Sequence, residues 1–141
     1  MEDRMLPDKS KNRKGSKTKK ILVIDDDPLV REMIVEVLEG EGYEAVASLN
    51  FKEALEKAHQ TLPDLFLIDG VMPEISGFDA CRKIKEMFKP HPPPVLLMTG
   101  NLKAIDPSYA LKMGADDFAV KTSDMAHVVK AVRDLFSSNN R

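Results

Sequence analysis

The sequence predicts an α/β protein in which five parallel strands form one sheet that helices cover on both faces. Short apolar runs alternate with segments whose apolar residues recur at helical spacing, and each kind of segment occurs five times. This alternation is typical of parallel sheets with helical crossovers. The chain has 141 residues, which is enough for one domain of this kind.

The first strand is predicted from KILVID (20–25), a continuous apolar run that ends in an acid. Such runs are typical of strands that are buried on both faces of a sheet. The first helix follows, and GEGY (40–43) ends it. Its predicted apolar face consists of residues at helical spacing, namely Leu29, Val30, Met33, Ile34, Val37 and Leu38.

The middle of the chain contains two more strand–helix units. EAVAS (44–48) is predicted to be the second strand and DLFLID (64–69) the third. The second helix is predicted from the apolar positions Ala54, Leu55, Ala58 and Leu62. The third helix is predicted over residues 78–88, with an inward face formed by Phe78, Cys81, Ile84 and Phe88.

The last third of the chain begins with HPPP (91–94), a stiff spacer that cannot lie inside a helix. VLLMT (95–99) is predicted to be the fourth strand and DFAVK (117–121) the fifth. The fourth helix is predicted over about 103–113, although Pro107 falls inside it. The final helix is predicted from Met125, Val128, Val129, Val132, Leu135 and Phe136.

The composition excludes several classes of protein. The chain is 43% hydrophobic and 31% charged, and its apolar runs are far too short to cross a bilayer or to form a signal peptide. Cys81 is the single cysteine, which rules out an internal disulfide and a cysteine-based zinc site. We therefore expect a cytoplasmic protein with no membrane span and with no nucleic acid bound by the folded domain.

The net charge of −2 hides an asymmetry between the start of the chain and the rest. Residues 1–20 contain eight Lys/Arg and three Asp/Glu, a net charge of +5, whereas residues 21–141 carry −7. Residues 1–19 have too few apolar side chains to offset the entropy of ordering, and we interpret them as a disordered basic tail. The domain is expected over 20–138, with a short tail at 139–141. The basic tail could contact a membrane or nucleic acid, but we favour a solvated leader.

Polar residues stand at the carboxyl ends of the predicted strands. The first strand ends in Asp25 and Asp26, the third in Asp69, the fourth in Thr99 and the fifth in Lys121. The second ends in Ser48, which adds no obvious chemistry. Because sites in such sheets form beyond the carboxyl ends of the strands, we expect these side chains to meet at one edge.

Three converging carboxylates would repel one another unless a cation lay among them. Hard oxygen ligands favour Mg²⁺, which can also bind a phosphate oxygen because it keeps several waters. The ammonium group of Lys121 and the hydroxyl of Thr99 complete a site suited to a phosphoryl group. There is no glycine-rich phosphate loop and no evident histidine base, so the carboxylate of Asp69 is the plausible nucleophile.

Four segments together resemble the receiver domain of two-component response regulators: ILVIDDDPLVR, DLFLIDGVMPEISGFD, VLLMTGN and GADDFAVK. The resemblance covers about residues 20–138 and implies a flavodoxin-like sheet of order 2-1-3-4-5. It implies that Asp69 is the phospho-acceptor and that Asp25, Asp26, Asp69 and the backbone carbonyl of Val71 bind Mg²⁺. It further implies that Thr99 is the switch hydroxyl, Lys121 the family's lysine and Phe118 the aromatic switch residue.

Three positions depart from the family pattern. Thr122 follows Lys121 where the family usually has a proline after a cis peptide, and a cis bond without proline costs about 3–4 kcal/mol. This cost favours a trans peptide and a reshaped loop, although the sequence leaves the isomer open. Gly100 follows Thr99, and Ser76 stands where the family often has Asp. None of these changes removes the phosphorylation chemistry.

Several individual residues also have simpler interpretations. Asp27 is predicted to cap the first helix ahead of Pro28. Thr99 could merely pack at a strand end, and Phe118 is as well explained by an ordinary core position. Cys81 is expected in the core. The three histidines are expected at the surface, and these are His59, His91 and His127.

The function expected from the resemblance is that of a stand-alone receiver, a signalling switch rather than an enzyme. A histidine kinase or a histidine phosphotransfer protein would phosphorylate it on Asp69. With no output domain in the sequence, it would signal to a downstream protein through the face formed by the fourth helix, fifth strand and fifth helix. The alternative is a metal-dependent phosphatase or phosphotransferase that acts on a small molecule through an aspartyl phosphate. The sequence has no insertion that could cap the site, which favours the switch.

Overall fold

The computed structural model describes residues 18–100, 106–112 and 114–138. Residues 1–17 of the predicted tail at 1–19, the predicted tail at 139–141, and residues 103–105 and 113 of the predicted fourth helix lie outside the described part. The strands are β1 (Lys20–Ile24), β2 (Glu44–Ser48), β3 (Leu65–Asp69), β4 (Val95–Thr99) and β5 (Asp117–Val120). The helices are α1 (Pro28–Gly40), α2 (Phe51–Thr61), α3 (Gly77–Met87), α4 (Pro107–Lys112) and α5 (Ala126–Ser138).

The strands form one parallel sheet of order β2-β1-β3-β4-β5, which confirms the flavodoxin-like topology that the sequence predicts. The register aligns Ile24 with Ser48, Asp69 with Met98, and Thr99 with Val120. Strand order reverses between β1 and β3, so the carboxyl ends of these two strands border the crevice where such folds place their sites. Asp25 and Asp69 lie at that point.

Two apolar cores lie on opposite faces of the sheet because successive strand residues point to opposite faces. One core packs α1 and α5 against alternate strand residues, including Ile21, Val23, Leu65 and Leu67. The other packs α2 and α3 against the intervening residues, including Leu22, Ile24, Phe66 and Ile68. Burial on both faces explains why the central strands read as continuous apolar runs.

Short polar side chains cap three of the helices. Asp27 caps α1, and its Oδ1 accepts hydrogen bonds from the backbone amides of Leu29 and Val30 at 3.0 and 3.4 Å, as predicted. Asn50 caps α2, and Ser76 caps α3 by accepting a hydrogen bond from the amide of Asp79 at 3.1 Å. Each cap satisfies a backbone donor that has no partner inside its helix.

Two apolar residues predicted to face the core do not, and both lie at the end of a helix. Leu29 is in the first turn of α1 and is 75% exposed. Leu62 follows the last residue of α2, adopts a left-handed conformation with φ 52°, and is 68% exposed. Helical spacing alone does not show where a helix stops packing against the core. The prediction that both residues face the core was therefore wrong.

The fourth helix differs from its prediction. In the described part of the chain it begins at Pro107 and spans six residues, whereas the other four helices span 11 to 13 residues. Pro107 therefore opens the helix and is not an interior residue. Proline is well suited to the first turn, where its missing N–H has no intrahelical partner. The side chain of Asp106 accepts a hydrogen bond from the amide of Ser108 at 3.0 Å.

Within the residues that the structure describes, no helix is both long enough and apolar enough to cross a membrane.

Candidate functional site

Asp25 follows β1 directly and is fully buried. Its Oδ2 lies 3.1 Å from Nζ of Lys121, and its Oδ1 accepts a hydrogen bond from the amide of Asp27 at 2.9 Å. Its backbone carbonyl accepts a hydrogen bond from Nη1 of Arg31 at 2.8 Å. A buried carboxylate needs such partners because leaving water is costly for a charged group.

Asp69 ends β3 and is 7% exposed. Its Oδ1 accepts a hydrogen bond from the amide of Val71 at 3.1 Å, and its Oδ2 lies 3.7 Å from Nζ of Lys121. Burial raises the pKa of Asp69 above its usual value, and the nearby charges of Asp25 and Asp26 raise it further. The Val71 amide and the Lys121 ammonium act in the opposite direction.

The structure brings together the three carboxylates that the strand ends predict. Asp25, Asp26 and Asp69 each offer a carboxylate oxygen, and these atoms lie within 4.8 Å of one another. Asp26 is exposed to solvent, whereas the other two are buried. Such a set of hard oxygen donors, partly open to water, fits Mg²⁺, which prefers few protein ligands and retains bound waters.

Lys121 follows β5 and contacts both buried carboxylates of this set. Its ammonium lies closer to Asp25 than to Asp69, at 3.1 and 3.7 Å. Its own amide donates a hydrogen bond to the carbonyl of Thr99 at 2.7 Å, which holds the ends of β4 and β5 together. The lysine is therefore placed to balance negative charge at the carboxyl edge of the sheet.

Thr99 and Phe118 lie on the neighbouring strands β4 and β5. Thr99 is at the end of β4, one residue beyond Met98, the register partner of Asp69, and is 2% exposed. Phe118 is half-buried and packs against the core on the α2–α3 side of the sheet. The structure thus places Thr99 at the carboxyl edge with the acidic residues, and Phe118 at a core position near the start of β5.

The peptide bond after Lys121 has the geometry that the cost of a cis bond without proline favours. The Lys121–Thr122 peptide is trans, and the only cis peptide in the described ranges is Lys89–Pro90. The hydroxyl of Thr122 donates to Oδ1 of Asp124 at 3.0 Å, and that oxygen also accepts from the amide of Ala126. The buried Met125 has φ 57°, which shapes the turn into α5.

Gly77 is a structural feature that the sequence reasoning missed. A Cβ atom added at Gly77 would lie 2.6 Å from Cα of Gly70 and 3.0 Å from the carbonyl oxygen of Asp69. The amide of Gly77 also donates a hydrogen bond to the carbonyl of Gly70 at 3.2 Å. Only glycine allows this close approach of α3 to the loop that follows Asp69. The signal in the sequence was a Ser-Gly pair directly before an amphipathic run.

Ser48 ends β2, and the sequence indicates no chemistry for it. It is 1% exposed, and its Oγ has no hydrogen-bond partner among the atoms of the described residues. Its carbonyl accepts from the amide of Asp25 at 3.4 Å, which places it beside the acidic cluster. An isolated serine in a sequence gives no sign that its hydroxyl will be buried without a partner.

The remaining candidate residues occupy the positions expected of them. All three histidines are exposed, and His59 packs near the ring of Phe88 with 6.3 Å between the ring centroids. Cys81 is fully buried in the α2–α3 core, and this burial raises the pKa of its thiol to about 11. Such a thiol is inert at neutral pH, in agreement with a packing role.

Comparisons with known proteins point to one family. A family model for the response regulator receiver domain matches residues 21–133. The DNA-binding response regulator MtrA of Mycolicibacterium smegmatis is 33% identical over 120 residues, which are 85% of this chain and 51% of that protein. An uncharacterised 14.6 kDa protein of Leptolyngbya boryana is 34% identical over 113 residues, with coverage of 80% and 86%. The chain thus spans about half of MtrA and most of the Leptolyngbya protein.

Solved structures agree with this assignment. The response regulator TrrA of Thermotoga maritima, crystallised in complex with Mg²⁺–BeF, is 32% identical with a TM-score of 0.74. The match covers 84% of this chain and 99% of TrrA. A response regulator receiver domain protein of Clostridium thermocellum is 28% identical with a TM-score of 0.76, and the match covers 86% and 97% of the two chains.

Proposed function

The chain belongs to the receiver domain family of response regulators, and we propose that its phospho-acceptor is Asp69. A receiver of this family is a signalling switch that accepts a phosphoryl group. The observation that carries the assignment to Asp69 is its position: it is a nearly buried carboxylate that lies beside two further carboxylates and one ammonium group at the carboxyl edge of the sheet. The phosphodonor would be a histidine kinase or a histidine phosphotransfer protein.

The chemistry required of Asp69 is a nucleophilic displacement at phosphorus. A carboxylate oxygen of Asp69 forms a bond to phosphorus while the bond between phosphorus and the donor's imidazole nitrogen breaks, and the electron pair leaves with that nitrogen. The amide of Val71 holds Oδ1 in place by a hydrogen bond, which orients the carboxylate before the reaction. The product is an acyl phosphate on the side chain of Asp69.

The carboxylates of Asp25, Asp26 and Asp69, together with the backbone carbonyl of Val71, would hold Mg²⁺. When bound, this ion would neutralise negative charge on the phosphoryl oxygens. Two observations support the fit: the three carboxylate oxygens lie within 4.8 Å of one another, and Asp26 is open to solvent. The related response regulator TrrA was crystallised with Mg²⁺–BeF.

Lys121 and Thr99 would hold the phosphoryl group after its transfer. In the described structure the ammonium of Lys121 already lies 3.7 Å from Oδ2 of Asp69. A new phosphoryl group adds charge and acceptor oxygens, and it would therefore attract both this ammonium and the hydroxyl of Thr99. Such a shift would weaken the contact between Lys121 and Asp25, which is the shorter contact of the lysine before phosphorylation.

We further propose that this shift reaches a partner surface formed by α4, β5 and α5. Movement of the Thr99 hydroxyl towards Asp69 would vacate space that the half-buried Phe118 of β5 can occupy. Binding of beryllofluoride, which mimics the phosphoryl group, should therefore shift amide resonances along β5 and α5 as well as those near Asp69. Shifts that are confined to the loops around Asp69 would contradict this coupling.

Phosphorylation itself can be tested with a small phosphodonor. Incubation with Mg²⁺ and acetyl phosphate should add the mass of one phosphoryl group to the intact protein, and Asp69→Asn should abolish the addition. Asp134→Asn is the matched control because it removes an exposed carboxylate on α5, and it should label normally. Labelling that persists in Asp69→Asn would show that the phosphoryl group is bound elsewhere.

A further inference from the structure

A surface groove lies between the start of α2 and the loop that joins β3 to α3. We call it the α2–α3 groove, and it has a volume of about 490 Å³. This volume falls within the range of about 300–1,000 Å³ seen in ligand-binding pockets, so the groove has room for more than one side chain. Its lining residues are Asn50, Phe51, Lys52, Leu55, Glu74, Ile75 and Lys83.

The floor of the α2–α3 groove is apolar and firmly supported. Phe51 is 8% exposed and belongs to the core between the sheet and the helices α2 and α3. Leu55 and Ile75 are partly buried and pack against the same core. Residues held in this way present a preformed apolar surface, so an apolar group that binds there need not order the floor first.

The rim of the α2–α3 groove carries more positive than negative charge. Lys52 and Lys83 are both exposed, and neither forms an ion pair with any residue that the structure describes. Most other cations on these two helices are engaged: Lys57 pairs with Glu53, and Arg82 pairs with Asp79. Glu74 is the one acid among the lining residues. The rim therefore favours a ligand that carries carboxylates.

The α2–α3 groove continues towards the candidate site. A second depression shares Glu74 and Ile75 with it and extends along the β3–α3 loop to Gly70 and Val71. Val71 is 65% exposed and follows Asp69 by two positions. A ligand that followed this surface would lie along the loop that leads from the phospho-acceptor to α3. An extended segment of a protein suits this shape better than a compact small molecule.

We propose that the α2–α3 groove binds a segment of a partner protein in which a large apolar side chain is flanked by carboxylates. The apolar side chain would cover Phe51, Leu55 and Ile75, and the carboxylates would pair with Lys52 and Lys83. Such a contact combines an apolar anchor with charge complementarity at the rim, which is the common organisation of protein interfaces.

Two hexapeptides test the proposal: acetyl-Glu-Glu-Leu-Phe-Glu-Glu-amide and its counterpart with Lys in place of every Glu. Both are titrated into the full chain while the backbone amide resonances are followed. The acidic peptide should shift the amides of Phe51, Leu55 and Ile75 in a saturable way and bind at least fivefold more tightly than the basic peptide. No saturable shift at these residues, or equal affinity of the two peptides, would overturn the proposal.

Charge reversal at the rim provides the second arm of the test. The double variant Lys52→Glu, Lys83→Glu should invert the preference, so that the basic peptide binds more tightly. The double variant Lys14→Glu, Lys17→Glu makes the same change in net charge within the basic segment at residues 1–20, and it should keep the preference for the acidic peptide. If both double variants changed the preference equally, only the overall charge would matter, and the α2–α3 groove would not be the binding site.

Discussion

Two serines near the carboxyl edge of the sheet should have opposite effects on stability. The hydroxyl of Ser48 is buried without a hydrogen-bond partner in the described part of the molecule, so it has lost its bonds to water without replacement. The hydroxyl of Ser76 accepts a hydrogen bond from the amide of Asp79 and caps α3. The same side chain is therefore unfavourable at the first position and favourable at the second.

Replacement of each serine by alanine should separate these effects. Ser48→Ala removes a buried unsatisfied group and should raise the free energy of unfolding by about 1 kcal/mol. Ser76→Ala removes a helix cap and should lower it by about 1 kcal/mol. Urea unfolding of both variants at one pH measures the two changes. A loss of stability in Ser48→Ala would show that its hydroxyl has a partner, such as a bound water.

At the scale of the residue, the sequence predicted which side chains lie at the carboxyl edge of the sheet. It did not predict which atoms surround each side chain. Acidic residues and a lysine at the ends of parallel strands had to meet at one edge, and the structure brings Asp25, Asp69 and Lys121 within ion-pair distance. Their roles in phosphoryl transfer remain predictions. The unpaired hydroxyl of Ser48 depends on which atoms of other segments surround it, and no local pattern encodes that.

At the scale of the element, alternation of strands and helices was predictable because each buried run and each amphipathic face is a local signal. Helix ends were less predictable. Leu29 and Leu62 fit the apolar spacing, yet they lie at helix ends and are exposed to solvent. Pro107 was expected inside α4 but opens it, because its ring is compatible with a first turn and not with an interior one.

The close approach of α3 to the loop that follows Asp69 gives a prediction for the element as a whole. Gly77→Ala would place a Cβ atom 2.6 Å from Cα of Gly70, and only backbone movement can relieve that contact. We expect the free energy of unfolding to fall by about 1–3 kcal/mol, the range for overpacked sites. Labelling of Asp69 by acetyl phosphate should also slow, because its carbonyl oxygen would lie 3.0 Å from the new atom.

Gly40→Ala is the matched control for this substitution. Gly40 is the last residue of α1, and no heavy atom outside the local helix lies within 4 Å of the position that its Cβ would occupy. Alanine is the better helix former, so this variant should be unchanged or slightly more stable. Equal destabilisation of both variants would refute a specific clash between α3 and the loop.

At the scale of the whole molecule, the sheet order decides which charges meet. The order β2-β1-β3-β4-β5 makes β1 and β3 neighbours, so the carboxylates at their carboxyl ends repel across the strand-order reversal. Burial is the main cause of the raised pKa of Asp69, and this repulsion adds a smaller increase. A cation that binds the folded state at this cluster should therefore stabilise the entire domain.

Thermal melts with and without Mg²⁺ test that expectation. Mg²⁺ should raise the melting temperature of the native sequence. Asp26→Asn should raise the melting temperature in the absence of metal, because it removes one of three clustered charges, and it should reduce the increase that Mg²⁺ produces. Identical midpoints with and without Mg²⁺ for the native sequence would contradict a metal site at these residues.

The ion pair between Asp25 and Lys121 also has a consequence for biosynthesis. The two residues are 96 positions apart in the chain. At a translation rate of about 5–20 residues per second, the lysine is made about 5–20 s after the aspartate. During that interval β1 can enter a dry interior only while the adjacent carboxylate of Asp25 lacks its ammonium partner, which costs several kcal/mol. We therefore expect the first strand to stay accessible to solvent in the nascent chain until Lys121 has been made.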